Sequence, residues 1–331
     1  MSRQLNAEDP ASFNHKYTYL NSVRYHYVDE GPKDGPVVLA CHGFPDLWFT
    51  WRHQIAFLVK KGYRVIAPDL LGYGQTDAPR APEIVPIERY SMKSVAGDLV
   101  ALLDQLGIDK VILLGHDWGG ALVWRFALFH PERVTATISL CTPYFPPTAN
   151  WVEPRDMVAK FPFWKYQLYF ADPASEKQFD ADPELFVRNI FRSSTLDGSA
   201  ARANAGVDFL NLAETLENGR DVPRDEFISQ TELDYYVENL TRRGFHGGLN
   251  WYKTRRANYD DDQALLGKTI TTPCLMVPAD KDMALPVALT AHMPQVLPQV
   301  KIVIVENSSH WITTEQPDAV NAAIAGFLDS L

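Results

Sequence analysis

Cysteine is scarce in this 331-residue sequence, which contains only Cys41, Cys141 and Cys274. The number is odd, and each of these residues lies in or beside an aliphatic or β-branched run. A disulfide framework and a cysteine-based zinc site are both excluded by so few and so widely spaced cysteines. Buried, reduced thiols in a cytoplasmic protein explain the three residues most simply.

The sequence also lacks the segments that mark membrane, secreted or nucleic-acid-binding proteins. It has no run of 18 apolar residues, so no membrane span is expected. Its first ten residues contain no apolar stretch of the kind found in signal peptides. Lysine and arginine number 31 against 41 aspartates and glutamates, a formal charge of −10. A nucleic-acid-binding protein would be expected to carry a basic excess, so that class is disfavoured.

The remaining composition, 46% hydrophobic and 22% charged, is that of a globular protein. Residues 16–28 alternate around Asn21-Ser22, as in a β-hairpin. Helical patterns follow, among them one from Val95 to Leu106 that Gly107 ends and one over residues 316–328. Between the helical patterns lie short aliphatic runs typical of buried parallel strands: Val37–Cys41, Arg64–Pro68, Val111–Leu114, Val134–Leu140, Cys274–Val277 and Ile302–Val305. The alternation predicts an α/β protein with a mostly parallel central sheet and helices on both faces.

This alternation is interrupted between residues 145 and 267, where the sequence is rich in aromatic and charged residues and has no strand-like run. We therefore expect a core domain formed by residues 1–145 and 267–331, and a helical lid formed by residues 146–266. Sites in open parallel sheets lie at the carboxyl ends of the strands. An insertion placed after such an end would cover the site.

The segment from Val111 to Gly120 carries the most chemical information. An apolar strand leads into Gly-His-Asp-Trp-Gly-Gly, and a helical pattern follows. This arrangement has the form of a nucleophile elbow, Gly-x-Ser-x-Gly, with Asp117 in the serine position. Small residues are needed there because the turn is sharp and a Cβ atom would collide with neighbouring backbone.

An aspartate in this position changes the reaction. A carboxylate is already ionised at pH 7, so it can attack a saturated carbon directly and form an alkyl-enzyme ester. A histidine must then activate water for attack on the ester. His310 follows the last predicted strand and is the candidate base, while Asp280 and Asp282 follow the preceding strand and compete as the acid that orients it. Spacing alone does not decide between these two aspartates.

Together these features resemble the epoxide hydrolases of the α/β-hydrolase fold, in particular the hydrolase domain of soluble epoxide hydrolases. The resemblance extends over nearly the whole chain, from about residue 35 to 328. The first of its motifs and the elbow also occur in dehalogenases, whereas the two tyrosine motifs are more specific. The matching segments are His42-Gly-Phe-Pro45, Gly72-Tyr-Gly74, Gly115-His-Asp-Trp-Gly-Gly120, Tyr166-Gln-Leu-Tyr-Phe170, Leu249-Asn-Trp-Tyr252, Lys281-Asp282 and His310-Trp311.

The resemblance implies a role for each matching position of the reaction centre. Asp117 is implied as nucleophile, His310 as base, and Asp282 rather than Asp280 as the acid partner. The backbone N–H groups of Phe44 and Trp118 are implied as the oxyanion hole. His42 would then shape the loop and not act as a second base.

Tyr166 and Tyr252 match the lid pair that holds the epoxide oxygen. Opening an epoxide develops an alkoxide, and a phenol with a pKa of about 10 can hydrogen-bond that oxygen and protonate it. Tyr169, three residues after Tyr166, is a competing candidate, but the match places Tyr166, four residues before Phe170, in the catalytic position.

Apolar side chains are expected to surround this centre, as in most small-molecule pockets. Pro45, Trp251 and Trp311 are the predicted pocket residues, together with Phe44 and Trp118. The expected reaction converts a small apolar epoxide and water into a vicinal diol and needs no metal and no organic cofactor. The sequence leaves open whether the protein is a monomer or a homodimer.

Two other functions compete with this interpretation. A haloalkane or haloacid dehalogenase on the same fold shares the aspartate nucleophile, but the lid tyrosines favour epoxide opening. A non-catalytic ligand-binding protein is the alternative from another class, because fold alone does not determine function. The complete set of nucleophile, acid, base and tyrosines favours an enzyme.

Overall fold

The computed structural model describes residues 5–193, 216 and 224–331. Its strands are His15–Leu20 (β1), Val23–Glu30 (β2), Val37–Cys41 (β3), Arg64–Pro68 (β4), Val111–His116 (β5), Val134–Leu140 (β6), Cys274–Val277 (β7) and Val300–Ile302 (β8). In the described part of the chain they form one sheet in the order β1-β2-β4-β3-β5-β6-β7-β8. Strand β2 pairs antiparallel with β1 on one side and with β4 on the other, and all other neighbouring strands pair parallel. The predicted α/β class and mostly parallel sheet are confirmed.

The N-terminal hairpin also forms as predicted. Strands β1 and β2 pair from His15 opposite Val28 to Leu20 opposite Val23. Asn21 and Ser22 connect them with φ angles of +47° and +69°. Two consecutive left-handed residues give a turn whose twist matches that of the strands it joins.

The last strand differs from the prediction of Ile302–Val305. It spans Val300–Ile302 and lies at the edge of the sheet, with β7 as its only neighbour among the described strands. Val303 and Ile304 are 40% and 49% exposed, although the amide of Val303 still donates to Met276 O. The aliphatic run is real, but its position at the edge exposes side chains that a central strand would bury.

Thirteen α-helices lie in the described residues: Arg52–Lys60 (α1), Met92–Gln105 (α2), Trp118–Phe129 (α3), Pro154–Lys160 (α4), Lys165–Phe170 (α5), Pro173–Ala181 (α6), Pro183–Ile190 (α7), Gln230–Thr241 (α8), His246–Lys253 (α9), Arg255–Asp262 (α10), Met293–Val296 (α11), Ile312–Glu315 (α12) and Pro317–Leu328 (α13). Helices α2 and α3 pack together, as do α1 and α13, and helices cover both sides of the sheet. Within the part of the chain that the structure describes, no helix is both long and apolar enough to span a bilayer.

Helix α2 shows how local sequence sets the boundaries of an element. The Ser91 side chain accepts a hydrogen bond from Ser94 N at the start of the helix, which satisfies one amide that has no intrahelical partner. Gly107 follows the last turn with a φ of +66°, a conformation that glycine adopts without a steric penalty. The helix predicted from the Val95–Leu106 periodicity is therefore confirmed.

Between β6 and β7 the described residues form helices and no strand. Residues 194–215 and 217–223 of the predicted lid lie outside the described residues, and the domain division at 146–266 stays a prediction. Helix α8, within this insertion, is joined to the N-terminal half of the chain by polar contacts. Arg52 forms a 2.6 Å ion pair with Glu232, and the Tyr236 hydroxyl donates to Asp46 at 2.8 Å.

Candidate active site

Asp117 occupies a sharp turn between β5 and α3. Its φ of +51° and ψ of −121° are strained for a residue with a side chain, so the surrounding structure must hold it there. The turn packs so closely that a Cβ atom on Gly119 would lie 2.0 Å from Cys41 O. The Thr142 hydroxyl donates to the Asp117 carbonyl oxygen at 2.7 Å. The predicted elbow is therefore present, with the carboxylate at the carboxyl end of β5.

The two oxygens of the Asp117 carboxylate have different surroundings. Oδ1 accepts a hydrogen bond from the backbone N–H of Phe44 at 2.8 Å, whereas Oδ2 lies 3.6 Å from Nε2 of His310. Burial would raise the pKa of Asp117, but the neighbouring His310 and the Phe44 amide outweigh burial and lower it below its ordinary value. The carboxylate is therefore ionised at neutral pH, the form that attacks carbon.

His310 is linked on its other side to Asp282. Its Nδ1 lies 2.8 Å from Asp282 Oδ2, and Asp282 Oδ1 accepts the amides of Ala284 and Leu285, both at 2.8 Å. The competing Asp280 instead accepts the amide of Ser308 at 3.1 Å. Of the two candidate acids, Asp282 is the one whose carboxylate contacts the histidine.

The charge on His310 depends on these two carboxylates. Burial disfavours the imidazolium, but Asp282 and Asp117 overcome this effect and raise the pKa of His310 well above its ordinary value. Conversion of Asp117 to a neutral ester would remove one of the two negative charges. The pKa of His310 would then fall, which favours the neutral imidazole that a general base requires.

His42 has both ring nitrogens engaged in shaping its loop. Nδ1 lies 2.8 Å from Gly43 O, and Nε2 accepts the amide of Leu70 at 3.0 Å. Burial lowers the pKa of His42 to about 4, so the ring stays neutral. This arrangement fits the structural role expected for His42.

Tyr166 on α5 and Tyr252 on α9 lie side by side in the insertion. Their ring centroids are 6.4 Å apart, and the ring of Phe170 contacts both, at 5.3 Å from Tyr166 and 4.9 Å from Tyr252. Burial and the nearby charge of Asp117 raise the pKa of both tyrosines. Both phenols therefore carry their protons at neutral pH and can donate hydrogen bonds.

Tyr169 points to a different partner. Its hydroxyl donates to Oε1 of Gln178 on α6, and its ring contacts Phe179 at 6.1 Å. The family resemblance favours Tyr166 over Tyr169, and in the fold it is the ring of Tyr166 that lies beside Tyr252.

Helix α9 can bring Tyr252 to this position because a glycine of the helix packs directly against a glycine of the loop after β4. A Cβ atom on Gly247 would lie 2.4 Å from Gly72 O, and one on Gly72 would lie 2.6 Å from Gly247 C. Any side chain at either position would push helix α9 away from the loop after β4. The spacing between Tyr252 and the sheet therefore depends on this backbone contact.

The predicted pocket residues lie around these groups. Pro45 is buried beside Phe44, and the Trp311 ring lies 5.2 Å from His310. The Trp251 and Trp118 rings are 6.3 Å apart. The Trp118 amide is the first N–H of α3 and has no intrahelical acceptor, so it is available for the predicted oxyanion role. The assignment of these side chains to a substrate pocket stays a prediction.

Three side chains at this site approach one another closely enough to be considered as metal ligands. His116, Cys141 and His310 each bring one donor atom to within 4.8 Å of the others. His116 Nε2 already lies 2.8 Å from the His310 carbonyl oxygen, and burial raises the pKa of the Cys141 thiol well above its ordinary value. A neutral thiol is a poor ligand, so these residues fit a role in supporting the His310 backbone better than metal coordination.

Some residues that support the site belong to no sequence motif. Thr142 follows the end of β6 and holds the Asp117 backbone, yet it belongs to none of the motifs. It is placed by Cys141, which has an unusual φ of +62°. A single positive-φ residue of this kind leaves no pattern in a sequence.

The chain is similar to known proteins over nearly its whole length. Residues 36–317 match a family model described as alpha/beta hydrolase fold. The chain is 35% identical to bifunctional epoxide hydrolase 2 of Sus scrofa over 327 residues, which cover 97% of this chain and 56% of the porcine protein. It is 35% identical to epoxide hydrolase A of Mycobacterium tuberculosis over 316 residues, which cover 94% of this chain and 96% of that protein.

The fold is likewise similar to that of a solved epoxide hydrolase. The crystal structure of epoxide hydrolase A from Mycobacterium thermoresistibile aligns with a TM-score of 0.83 and 33% identity, covering 96% of this chain and 99% of that one. The chain spans little more than half the length of the mammalian relatives but nearly all of the mycobacterial ones. It belongs to the α/β-hydrolase fold family and, within that family, to the epoxide hydrolases.

Proposed function

We propose that this protein hydrolyses epoxides to vicinal diols through an ester on Asp117. One observation carries the proposal. The Asp117 carboxylate accepts a hydrogen bond from a backbone N–H, faces a histidine that is paired with Asp282, and has two protonated tyrosines nearby. A nucleophile, a base and acids for a poor leaving group are the groups that epoxide hydrolysis requires.

In the first step Asp117 attacks a ring carbon of the epoxide. A carboxylate–carbon bond forms, the ring C–O bond breaks, and its electron pair passes to the epoxide oxygen. Tyr166 and Tyr252 hydrogen-bond that oxygen and one of them supplies its proton. The negative charge lost by the carboxylate therefore ends on a phenolate. It does not end on a free alkoxide, which would be far more basic.

In the second step His310 takes a proton from water, and the resulting hydroxide attacks the ester carbon of Asp117. The oxygen that becomes negative is the one held by the Phe44 N–H, where a preorganised donor stabilises developing charge. The diol leaves with the proton from His310. Asp117 is left as a carboxylic acid, and its proton passes through water to the phenolate, which becomes a neutral tyrosine again.

A single turnover in oxygen-18 water tests this mechanism. Water attacks the ester at the Asp117 carboxyl carbon, so the label should appear in the Asp117 peptide after one turnover of styrene oxide. Diol production without label in that peptide, even after many turnovers, would mean that water attacks the epoxide directly. Halide release from haloalkanes with no diol from any epoxide would instead support a dehalogenase. Absence of any covalent adduct with either substrate class would support a non-catalytic binding protein.

We further propose a reducing, cytoplasmic location. Cys41, Cys141 and Cys274 are free and buried, and burial raises the pKa of the Cys41 and Cys141 thiols. Three unpaired thiols suit a compartment in which disulfides do not persist. Retention of activity in a reducing buffer, with loss under thiol oxidants only after unfolding, is the expected result.

A further inference from the structure

Arg255 brings a positive charge close to the lid tyrosines. It begins helix α10, three residues after Tyr252, and is partly buried. Its Nη2 donates to Oε1 of Gln167, and its Nη1 contacts Sδ of Met157 at 3.0 Å. No carboxylate in the described part of the chain lies within ion-pair distance of this guanidinium.

Other sheltered arginines of this protein are paired with carboxylates. Arg52 pairs with Glu232 at 2.6 Å, Arg64 with Asp29 at 2.8 Å, and Arg125 with Asp262 at 2.8 Å. A charge that is partly removed from water without a counter-charge is destabilising. Burial accordingly lowers the pKa of Arg255, while Tyr166 and Tyr252 act in the opposite direction. Because both phenols are protonated at neutral pH, they supply a counter-charge only when one of them gives up its proton.

The contact with Arg255 also fixes the orientation of the Gln167 amide. Arginine has five N–H donors and no acceptor, so the atom of Gln167 that faces it must be the carbonyl oxygen Oε1. The amide nitrogen Nε2 then faces the other way and lies 3.3 Å from the Tyr166 hydroxyl oxygen. Because Nε2–H donates to that oxygen, Tyr166 is the acceptor in this contact, and its phenolic proton is not directed at Gln167.

We propose that Arg255, acting through Gln167, is a positioning residue for epoxide ring opening. This inference rests on the function proposed above. Arg255 orients the Gln167 amide, the amide keeps Tyr166 as a donor toward the epoxide oxygen, and the positive charge stabilises the phenolate that remains when Tyr166 gives up its proton. The later hydrolysis of the Asp117 ester uses His310, Asp282 and the Phe44 amide, and does not depend on Arg255.

Ring opening can be measured alone in a His310→Gln background, where the ester should form and persist. Formation of the ester from 1,2-epoxypropane is followed by acid quenching and intact-protein mass spectrometry. Arg255→Met should slow ester formation about tenfold, the effect of losing one charge-assisted interaction. Arg256→Met is the matched control, because Arg256 is the next residue, is exposed and pairs with Asp260. It should leave the rate unchanged, and melting temperatures of all variants establish that they fold.

Substitutions of Gln167 test the orientation of the hydrogen bonds. Gln167→Leu should reproduce the defect of Arg255→Met, and the double variant should be little worse than either single variant. Gln167→Glu should form the ester more slowly than Gln167→Leu. Its carboxylate would pair with Arg255 and accept a hydrogen bond from the Tyr166 hydroxyl, which would turn that donor away from the epoxide. In a Tyr166→Phe background Arg255→Met should cause no further loss. A Gln167→Glu protein that forms ester as fast as the parent contradicts the proposed orientation.

A second substrate separates charge stabilisation from a purely structural effect. In 3,3,3-trifluoro-1,2-epoxypropane the fluorines stabilise negative charge on the ring oxygen, so the tenfold defect of Arg255→Met should shrink. An equal defect with both epoxides would overturn the charge role, and no defect with either would overturn the inference as a whole. If the His310→Gln parent gains no mass with any epoxide, the proposed function itself has failed.

Discussion

Nε2 of His310 lies 3.6 Å from Oδ2 of Asp117, within the range of charge attraction but beyond the usual length of a hydrogen bond. The other carboxylate oxygen is held by the Phe44 amide at 2.8 Å. In the described part of the chain no donor lies within hydrogen-bond distance of Oδ2. Its lone pairs are thus the more available for bond formation, and we expect Oδ2 to be the atom that attacks.

The same pair of residues predicts a change in a measurable pKa. Asp117→Asn removes one of the two negative charges that favour the imidazolium, so the pKa of His310 should decrease toward the ordinary histidine value. NMR titration of the His310 ring protons measures it. Asp280→Asn is the control and should leave the titration unchanged, because Asp280 contacts Ser308 and Lys281 instead. An identical His310 titration in Asp117→Asn and wild type would show that Asp117 does not set its charge.

His310→Gln should separate the two chemical steps. Asp117 can still attack, but no base activates water, so the protein should gain the full mass of one epoxide and stop. Intact-protein mass spectrometry after mixing with styrene oxide detects the adduct. His130→Gln is a suitable comparison because His130 is partly exposed, near Glu132, and it should turn over normally. Steady-state turnover of His310→Gln at the wild-type rate would remove His310 from the mechanism.

The choice between Asp280 and Asp282 can be decided by a matched pair of variants. Asp282→Asn removes the charge that orients and stabilises the His310 imidazolium, and should reduce kcat by roughly 10²- to 10⁴-fold. Asp280→Asn changes the same residue type two positions away and should have little effect. Steady-state diol production measures both, and equal losses would mean that the loop and not the contact with His310 is responsible.

The lid tyrosines should act as a pair. Tyr166→Phe and Tyr252→Phe each remove one donor to the epoxide oxygen and should slow ring opening by roughly 10- to 100-fold, whereas the double variant should have no measurable turnover. Tyr169→Phe removes the bond to Gln178 but leaves both proposed donors to the epoxide oxygen in place, so it should remain close to wild type. Single-turnover rates of ester formation provide the comparison. Full activity in the double variant would assign the proton donor elsewhere.

Two glycine substitutions should change stability in opposite directions. A Cβ atom on Gly119 would lie 2.0 Å from Cys41 O, whereas one on Gly97, inside helix α2, would meet nothing within 4 Å. Gly119→Ala should therefore destabilise the fold or prevent folding, and Gly97→Ala should stabilise it by up to about 1 kcal/mol through helix propensity. Thermal unfolding of both variants against wild type tests the contrast, which a Gly119→Ala protein of normal stability would contradict.

The sequence alone was sufficient for most of the architecture. Aliphatic runs and glycine stops located the central strands and helix α2, because a buried parallel strand and an amphipathic helix have distinct periods. The strand at the edge of the sheet was misplaced, since Val303 and Ile304 are as aliphatic as core residues yet face solvent. Asp117 and His310 were recognisable because the elbow and the order of the strands constrain both.

Other parts of the site depend on contacts that no local pattern encodes. Asp280 and Asp282 lie in one loop, and only the folded position of His310 separates them geometrically. Tyr166 and Tyr169 lie on one short helix and turn to different neighbours. Arg255 meets Gln167 across 88 residues of sequence, so its place near the phenols follows from the packing of α5 against α9, the helix that precedes α10.

The order of the strands also determines when the centre can exist during protein synthesis. Asp117, Tyr166 and Tyr252, the groups proposed for ring opening, all precede His310, which follows the last strand 58 positions after Tyr252. At 5–20 residues per second a ribosome needs roughly 3–12 s to translate that distance. A nascent chain therefore contains the group that captures an epoxide well before the one that releases it. Any epoxide captured in that interval would stay bound until translation and folding supplied His310.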